Sequence, residues 1–351
     1  MTDRRLRAVV ATPLPDALAD RIRSAEPRLE LVVEQDLLPP MRLPGDHGGD
    51  PAFRRSEADE RRFRQLVDSA DVLYGAPDER ADQLARTLRA NPRLRWVQLM
   101  AAGGGAQVRK ADLTDEELAR VRFTTTAGVH AVPLAERCEF GLLAGFKSLP
   151  RLLSLQRERT WPDERWLMRR LEGSRVLIVG LGRIGKLLAE RLDRQGVRVA
   201  GTSRHGGRVD HVREVIHPRD LAARIGEFHG VVVTLPGTDE THHLVSADVI
   251  AAMREDAVVV NVGRGTVIDQ DALIERLAAG RLGFAALDVT DPEPLPADSP
   301  LWGLPNVLIS PHTAALSDAE DELIAELFAR NVTRFLNEQP LLNAVDVHEF
   351  Y

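Results

Sequence analysis

The sequence predicts an α/β protein of two domains. Short apolar runs typical of buried strands alternate along the chain with amphipathic segments typical of helices. Near the middle, a glycine-rich turn at residues 180–185 joins one such run directly to a helical segment. The length of 351 residues also fits two domains, because single domains commonly hold about 150 residues.

The overall composition limits the function classes. Hydrophobic residues make up 44% and charged residues 28% of the chain, and no apolar run approaches the ~20 residues that cross a bilayer. The net charge of −7 mixes both signs, which argues against nucleic acid as a partner. The first residues lead into a predicted strand and lack the apolar core of a secretory signal. We therefore expect a cytoplasmic protein that acts on a small molecule, with no membrane partner.

Cysteine usage gives no sign of disulfides or metal. Cys138 is the single cysteine, so an internal disulfide is excluded. It lies within an apolar helical pattern, which favours packing over a reactive thiol. No paired-cysteine or His-x-x-x-His spacing is present, and no metal cofactor is expected.

The first domain is predicted over residues 1–127. It opens as β-α-β without a phosphate-binding turn, and its strands are predicted at residues 8–11, 29–33, 72–74, 96–99 and 123–125. A helix over residues 133–147 then crosses into a second domain, residues 128–316. Residues 317–351 are predicted to carry a C-terminal helix back to the first domain. Ser317 is its predicted N-cap, with Glu320 three positions later.

A proline- and glycine-rich segment, residues 38–51, interrupts the first domain. We predict a long loop, which either borders the functional site or is a disordered insertion. If it borders the site, Arg42, Asp46 and His47 are the side chains that would shape a pocket.

The turn at residues 180–185 has the pattern of a dinucleotide site. Gly180 permits a tight turn, Gly182 lets the backbone approach the phosphates, and Gly185 lets helix and strand pack closely. The N-terminus of the following helix offers N–H groups to the pyrophosphate. Together with the apolar strand before it, the turn predicts a Rossmann-type doubly wound parallel sheet.

Three ionisable residues follow later strands of this sheet, each framed by glycine or proline. They are Arg264 in Val-Gly-Arg-Gly, Glu293 in Pro-Glu-Pro and His312 in Pro-His-Thr. Open α/β sheets bind ligands beyond the carboxyl ends of their strands, so these residues are the catalytic candidates. Asp291, two residues before Glu293, is an alternative carboxylate.

In the glycine turn and the three motifs around Arg264, Glu293 and His312, the chain resembles the D-isomer-specific 2-hydroxyacid dehydrogenase family, in its glyoxylate/hydroxypyruvate reductase-like, NADP-type form. Their order and spacing match the family from residue 127 to residue 312. The resemblance implies that Arg264 binds substrate, that Glu293 is the carboxylate partner, and that His312 is the acid/base. It also implies a smaller flavodoxin-like α/β substrate domain, an active site in the cleft between the domains, and a homodimer. Backbone N–H groups near Ala102, Gly103 and Gly104 would bind the substrate carboxylate.

The chemistry explains these residue types. Reduction of a 2-keto acid needs a hydride from nicotinamide, a proton for the carbonyl oxygen and a cation for the carboxylate. Imidazole titrates near neutral pH, so His312 is suited to give the proton and, in oxidation, to accept it. Glu293 would fix the tautomer and favour the protonated ring. The planar guanidinium of Arg264 matches a carboxylate and polarises the keto oxygen.

The cofactor is expected to be NADP(H), with NAD possible. The acid that usually binds the adenosine ribose is replaced by Ser203, followed by Arg204, His205 and Arg208, and two guanidinium groups favour a phosphate dianion. The alternative is a loosely selective NAD site beside a solvated basic loop. The full predicted cofactor-binding set consists of Gly180, Gly182, Arg183, Ile184, Gly185, Ser203, Arg204, Thr234, Leu235, Pro236, Val262 and Asp288.

The sequence leaves alternatives for function, assembly and substrate. The family's formate dehydrogenases carry an amide where Glu293 stands, which argues against that branch. A dinucleotide-sensing, corepressor-like scaffold with little turnover is the alternative function. Residues 149–167 include Leu152, Leu153, Leu155, Trp161 and Trp166 and either form a dimer surface or pack within the chain. His130 is a further candidate to line the site. The substrate side chain, glyoxylate-like, hydroxypyruvate-like or bulkier, is not determined.

Overall fold

A computed structural model describes residues 5–350 and divides the chain into two compact units. The first unit combines the residues up to His130 with those from Leu316 onward, and the second unit is Ala131–Ala315. Both contain a parallel sheet with helices, so the predicted α/β class is confirmed.

The first unit is built on five parallel strands in the order β2-β1-β3-β4-β5. The strands are β1 Leu6–Val10, β2 Leu29–Val32, β3 Val72–Tyr74, β4 Trp96–Gln98 and β5 Arg122–Thr124. The helices between them are α1 Asp16–Ala25, α2 Glu57–Val67, α3 Ala81–Ala90, α4 Gly105–Lys110 and α5 Asp115–Arg120. β3 and β4 are buried along their whole length, as expected for central strands covered on both faces.

The second unit is a seven-stranded parallel sheet in the order β12-β11-β10-β9-β6-β7-β8. Its strands are β6 Arg175–Val179, β7 Arg198–Thr202, β8 Glu214–Ile216, β9 Gly230–Val233, β10 Val258–Asn261, β11 Phe284–Leu287 and β12 Val307–Ile309. Its helices are α6 Ala131–Phe146, α7 Leu149–Glu158, α8 Arg183–Arg194, α9 Leu221–Arg224, α10 Ala247–Ala252 and α11 Gln270–Ala278. The strand order reverses between β6 and β9, which is the switch point where doubly wound sheets bind ligands.

The last helix, α12 Glu320–Leu336, belongs to the first unit. Phe328 on this helix stacks on Trp96 and meets Tyr74 edge-on, with both ring centroids 5.1 Å away. This aromatic packing explains why a segment that follows the second unit in sequence folds onto the first.

The N-cap prediction for this helix was wrong. The helix begins at Glu320, Ala319 occupies the N-cap position, and no side chain caps the first turn. Glu320 itself is buried and bonded to two histidines, so its side chain is not available for a capping box with Ser317.

The segment 38–51 contains no helix or strand, as predicted. Arg42 and Asp46 pair within it, and the N–H of Gly45 donates to Asp321 of α12. These bonds tie the loop to the first unit and argue against a disordered insertion.

Cys138 is fully buried, and burial raises the pKa of its thiol, which fits the predicted packing role. Within residues 5–350, no helix is both long and apolar enough to cross a membrane.

Candidate active site

The glycine turn has the geometry that its sequence predicts. Gly180 has φ +111°, a conformation that side chains disfavour, and a Cβ on Gly185 would stand 2.1 Å from the Gly180 carbonyl oxygen. Gly182 is the N-cap of α8 and offers no side chain to cap it. A Cβ there would meet nothing within 4 Å, so space remains beside the helix N-terminus. The residues present therefore fit a dinucleotide pyrophosphate.

The predicted 2′-phosphate residues follow the end of β7. The hydroxyl of Thr202 accepts a hydrogen bond from the Gly180 N–H at 3.1 Å, which ties the end of the strand to the glycine turn. Ser203 and Arg204 follow directly, and the hydroxyl of Ser203 accepts from the His205 N–H at 3.3 Å. Arg204 is largely exposed and forms an ion pair with Glu240. Nothing in the sequence pattern indicated that carboxylate.

The rest of the predicted cofactor set lines the neighbouring strand ends. Thr234 donates its hydroxyl proton to the Gly180 carbonyl at 2.7 Å, and Leu235 lies against Gly180. The carbonyl of Pro236 accepts from the Thr241 hydroxyl, and the buried Val262 donates its N–H to Val233. Arg183 and Ile184 form the first turn of α8.

Arg264 follows β10 on a turn that is braced from inside the sheet. The buried Asn261 donates its amide to the Arg264 carbonyl at 3.0 Å and accepts from the Gly263 N–H at 3.0 Å. The turn lies so close to the next loop that a Cβ on Gly265 would overlap the Thr290 carbonyl oxygen. The exposed guanidinium of Arg264 contacts the Gly263 carbonyl at 2.7 Å. Sequence reasoning missed the bracing role of Asn261, although Asn at a strand end is a typical turn signal.

His312 and Glu293 meet directly. Nδ1 of His312 lies 2.8 Å from Oε2 of Glu293, and Oε1 of Glu293 accepts the Thr290 N–H at 3.1 Å. Both side chains stay accessible to solvent, at 47% and 36%. The pairing leaves Nε2 as the ring nitrogen that points away from Glu293.

Asp291 is held differently. Its N–H donates to Gln270 and its carbonyl accepts from the same side chain, at 3.0 and 2.6 Å. Gln270 thus fixes the backbone of the loop from α11, and the carboxylate placed on His312 is that of Glu293.

Asp288 directly follows β11 and is 4% exposed. Its Oδ1 accepts the Ser310 hydroxyl at 2.6 Å and the Thr313 and Ala314 N–H groups at 3.0 and 3.1 Å. The predicted cofactor residue therefore also organises the loop that carries His312.

The predicted substrate residues of the first unit follow β4. Ala102 and Gly103 are exposed, Gly104 is buried, and α4 begins at the next residue.

His130, the further candidate to line the site, lies in the first unit. Its Nε2 is 2.9 Å from Glu320 Oε1, which also meets Nε2 of His47 at 3.3 Å. Burial raises the pKa of Glu320, but the two histidine contacts lower it more, to about 2. Nearby Glu79 shows the opposite shift: burial raises its pKa to about 7, against the charge of His47 and a hydrogen bond from Gln107. Sequence reasoning did not single out Glu79 or group these side chains.

In the part of the chain that the structure describes, no group of three or more His, Cys, Asp or Glu residues is arranged to hold a metal ion. Of the histidines without a catalytic frame, His211 pairs with Asp193 and His217 caps a short turn.

Known proteins are similar to this chain in sequence and fold. A model of the D-isomer specific 2-hydroxyacid dehydrogenase NAD binding domain matches residues 140–314. A glyoxylate reductase of Aeropyrum pernix is 31% identical over 280 residues, which cover 76% of this chain and 80% of that protein. The chain therefore belongs to the D-isomer-specific 2-hydroxyacid dehydrogenase family, a family of oxidoreductases, and the predicted resemblance is confirmed.

Two further matches extend the comparison. A glyoxylate/hydroxypyruvate reductase of Arabidopsis thaliana is 33% identical over 213 residues, covering 60% of this chain and 65% of the plant protein. A solved D-isomer specific 2-hydroxyacid dehydrogenase from Xanthobacter autotrophicus, in complex with NADPH and MES, has a TM-score of 0.74 at 27% identity. That match covers 99% of this chain and 100% of the other.

Proposed function

We propose that this protein is an NADP(H)-preferring reductase of small 2-keto acids such as glyoxylate or hydroxypyruvate. The observation that carries the proposal is the contact of 2.8 Å between His312 and Glu293, on loops that follow adjacent strands of a nucleotide-binding sheet. The named reductase relatives support the substrate class.

His312 is the proposed acid in reduction. With Nδ1–H donated to Glu293, Nε2 of the imidazolium carries the proton that moves to the substrate's carbonyl oxygen. The ring is then neutral and keeps its Nδ1–H toward Glu293, so the tautomer is defined throughout. Glu293 is itself fixed by the Thr290 N–H, which holds the carboxylate in place as the ring charge changes. When bound, the nicotinamide supplies the hydride in reduction and accepts it in oxidation.

Arg264 is the proposed substrate cation. One of its N–H groups donates to the adjacent Gly263 carbonyl, and the remaining donors of the fork suit a carboxylate or a keto oxygen. In the first unit, we assign the N–H groups near Ala102, Gly103 and Gly104 to the substrate carboxylate, on the family resemblance. The first unit would thus be the substrate domain and the second the nucleotide domain.

Selection of NADP(H) is proposed to come from Ser203 and Arg204. Their position after β7 is where a ribose-binding acid would exclude a 2′-phosphate, and here a hydroxyl and a guanidinium stand instead. The ion pair with Glu240 means that a phosphate dianion has to replace a carboxylate on Arg204. The NADPH complex of the Xanthobacter protein supports a cofactor of this type in the family.

The test is the consumption of NADPH and NADH, in parallel, by the purified protein with a graded panel of 2-keto acids. Rapid loss of NADPH with one panel member is the expected result and identifies the substrate class. Equal kcat/KM with NADH would overturn the cofactor proposal. Tight NADPH binding without turnover on any acid would instead support a dinucleotide-sensing scaffold.

A further inference from the structure

The loop that carries His312 is held in a conformation that its own sequence does not favour. His312 has φ +53°, in the left-handed region that non-glycine residues disfavour. Such a conformation persists only where surrounding bonds impose it. The His312 N–H donates to the Asp288 carbonyl at 2.9 Å, and the next two N–H groups donate to the Asp288 carboxylate. The backbone of β11's end therefore shapes the loop that follows β12.

Ser310 links this anchor to a residue from another element. Its hydroxyl donates to Oδ1 of Asp288 at 2.6 Å and accepts from Nη2 of Arg137, on α6, at 3.0 Å. Because a guanidinium has donors only, Ser310 must accept from Arg137, and its own proton is directed to Asp288. The two hydrogen bonds form a chain in which each donor is fixed, from Arg137 through Ser310 to Asp288.

Partial burial of the Arg137 guanidinium costs solvation free energy. The residue is half-buried between the buried Leu134 and Cys138 of its helix, and burial lowers the pKa of its guanidinium while the charge of Asp288 opposes that shift. Among residues 5–350, no carboxylate oxygen lies within 4 Å of this guanidinium. The guanidinium carbon lies 5.3 Å from the centroid of the exposed Phe140 ring, and the guanidinium donates its hydrogen bond to Ser310, where partial burial strengthens a charge-assisted bond.

We propose that Arg137 is a positioning residue for His312, acting through Ser310 and Asp288. The inference rests on the proposed acid/base role of His312. The Thr290 N–H fixes Glu293, and the hydrogen-bonded chain from Arg137 fixes the loop of His312, the other member of the pair. Loss of the chain lets the loop relax from its strained conformation and disturbs the His312–Glu293 contact, without removing any group that binds substrate.

The test measures steady-state kinetics and NADPH affinity for Arg137→Met, Arg137→Lys, Ser310→Ala and the double variant R137M/S310A. We expect R137M to lower kcat about 10- to 100-fold, with KM for the keto acid and Kd for NADPH within about twofold of wild type. R137K, which restores a donor, is expected to recover most of the loss. The double variant should be no slower than the slower single variant, because both break the same chain.

Arg276→Met is the matched control. Arg276 is another half-buried arginine of the second unit, and it donates to a neutral oxygen, the Met253 carbonyl, at 2.5 Å. Its kcat should stay within about twofold of wild type. If R137M does not fold, S310A removes the same link by the loss of one oxygen and carries the test.

The outcomes separate this inference from the proposed function. If His312→Gln abolishes turnover while R137M and S310A keep wild-type kcat, the positioning role is wrong and the proposed function stands. The same holds if R137M and S310A lower kcat additively, since independent effects do not come from one chain. A His312→Gln enzyme as active as wild type overturns the proposed function and, with it, the positioning role.

Discussion

At the scale of single residues, the site depends on how each charged group is shared between partners. Glu293 divides its two oxygens between a backbone N–H and His312, and Asp288 gathers one hydroxyl and two N–H groups on one oxygen. Charge-assisted bonds of this kind are stronger than neutral ones and fix direction as well as distance. The residues that hold His312 are therefore as specific to the candidate site as His312 itself.

Replacement of Glu293 by Gln tests the charge of that carboxylate. Gln keeps the size of the side chain but removes the charge that stabilises the imidazolium, so kcat is expected to fall about 100-fold. Asp291→Asn is the control, since Gln270 holds Asp291 through its backbone atoms. Steady-state rates of both variants over a range of pH show whether Glu293 or Asp291 is the carboxylate that acts on His312. A larger loss in D291N than in E293Q would assign the role to Asp291.

Cofactor selection is tested at Arg204 and its partner. Glu240→Gln frees the guanidinium from a competing carboxylate, so KM for NADPH is expected to fall about two- to fivefold with KM for NADH unchanged. Arg204→Asp should reverse the preference toward NADH by repelling the 2′-phosphate. Parallel kinetics with both cofactors measure the two effects. An E240Q variant that gains equally with NADH would show that Arg204 does not contact the 2′-phosphate.

At the scale of elements, the first turn of α12 connects segments that lie far apart in sequence. Glu320 accepts from His47 of the 38–51 loop and from His130 at the end of the first unit's opening segment, and Asp321 accepts from Gly45. Beside this cluster, Glu79 follows β3 on a turn with φ +51°, and its buried Oε1 has no hydrogen-bond partner among residues 5–350. Several buried ionisable side chains are therefore grouped where α12 begins.

Glu79→Gln is expected to change how stability depends on pH. The folded pKa of Glu79, about 7, exceeds the value of 4.5 for a free Glu, so the folded state keeps its proton over that interval and wild-type stability falls as pH rises through it. Gln carries no proton to lose. Relative to wild type, the variant should gain about 1–3 kcal/mol of unfolding free energy between pH 5 and pH 8. Urea unfolding at both pH values measures this. An equal difference in unfolding free energy at the two pH values would show that the pKa of Glu79 is not raised.

At the scale of the whole molecule, one stretch of the second unit exposes many apolar side chains. They lie on and after α6 and α7: Val132, Phe140, Leu143, Leu152, Leu153, Trp161, Leu167 and Met168. Trp161 and Leu167 are 85% and 99% exposed. Exposed apolar groups concentrated in one stretch are typical of a surface that another protein covers, and we propose that a second copy of the chain does so.

The dimer proposal is tested by mass in solution. Wild type is expected to have twice the mass of the chain by light scattering, and Leu153→Glu should shift it toward the monomer, because a charge at an apolar interface is not paired. Leu43→Glu, at an exposed leucine of the first unit, serves as control and should stay dimeric. A wild-type monomer at micromolar concentration would exclude the homodimer.

Local patterns carried much of the prediction because their physical causes are local. An apolar run buried on both faces, such as 258–261, is a strand in almost any parallel sheet, and the turn from Gly180 to Gly185 needs only residues five positions apart. The strand Glu214–Ile216 escaped prediction because it is short, polar at its start and lies at the sheet edge. The helix start at Ser317 was wrong because burial of Glu320 overrode a local capping signal.

The sequence by itself determined the two-unit α/β class, the nucleotide turn and the three catalytic candidates, since each depends on residue types at short spacing. Only the tertiary structure decided the other pairings of charged and polar groups: Arg137 with Ser310, Glu240 with Arg204 and His47 with Glu320. These pairs are separated by 36 to 273 positions, and no local pattern encodes them. Hydrogen bonds and charges act over a few ångströms, so partners are chosen only when the packed sheets bring distant segments together.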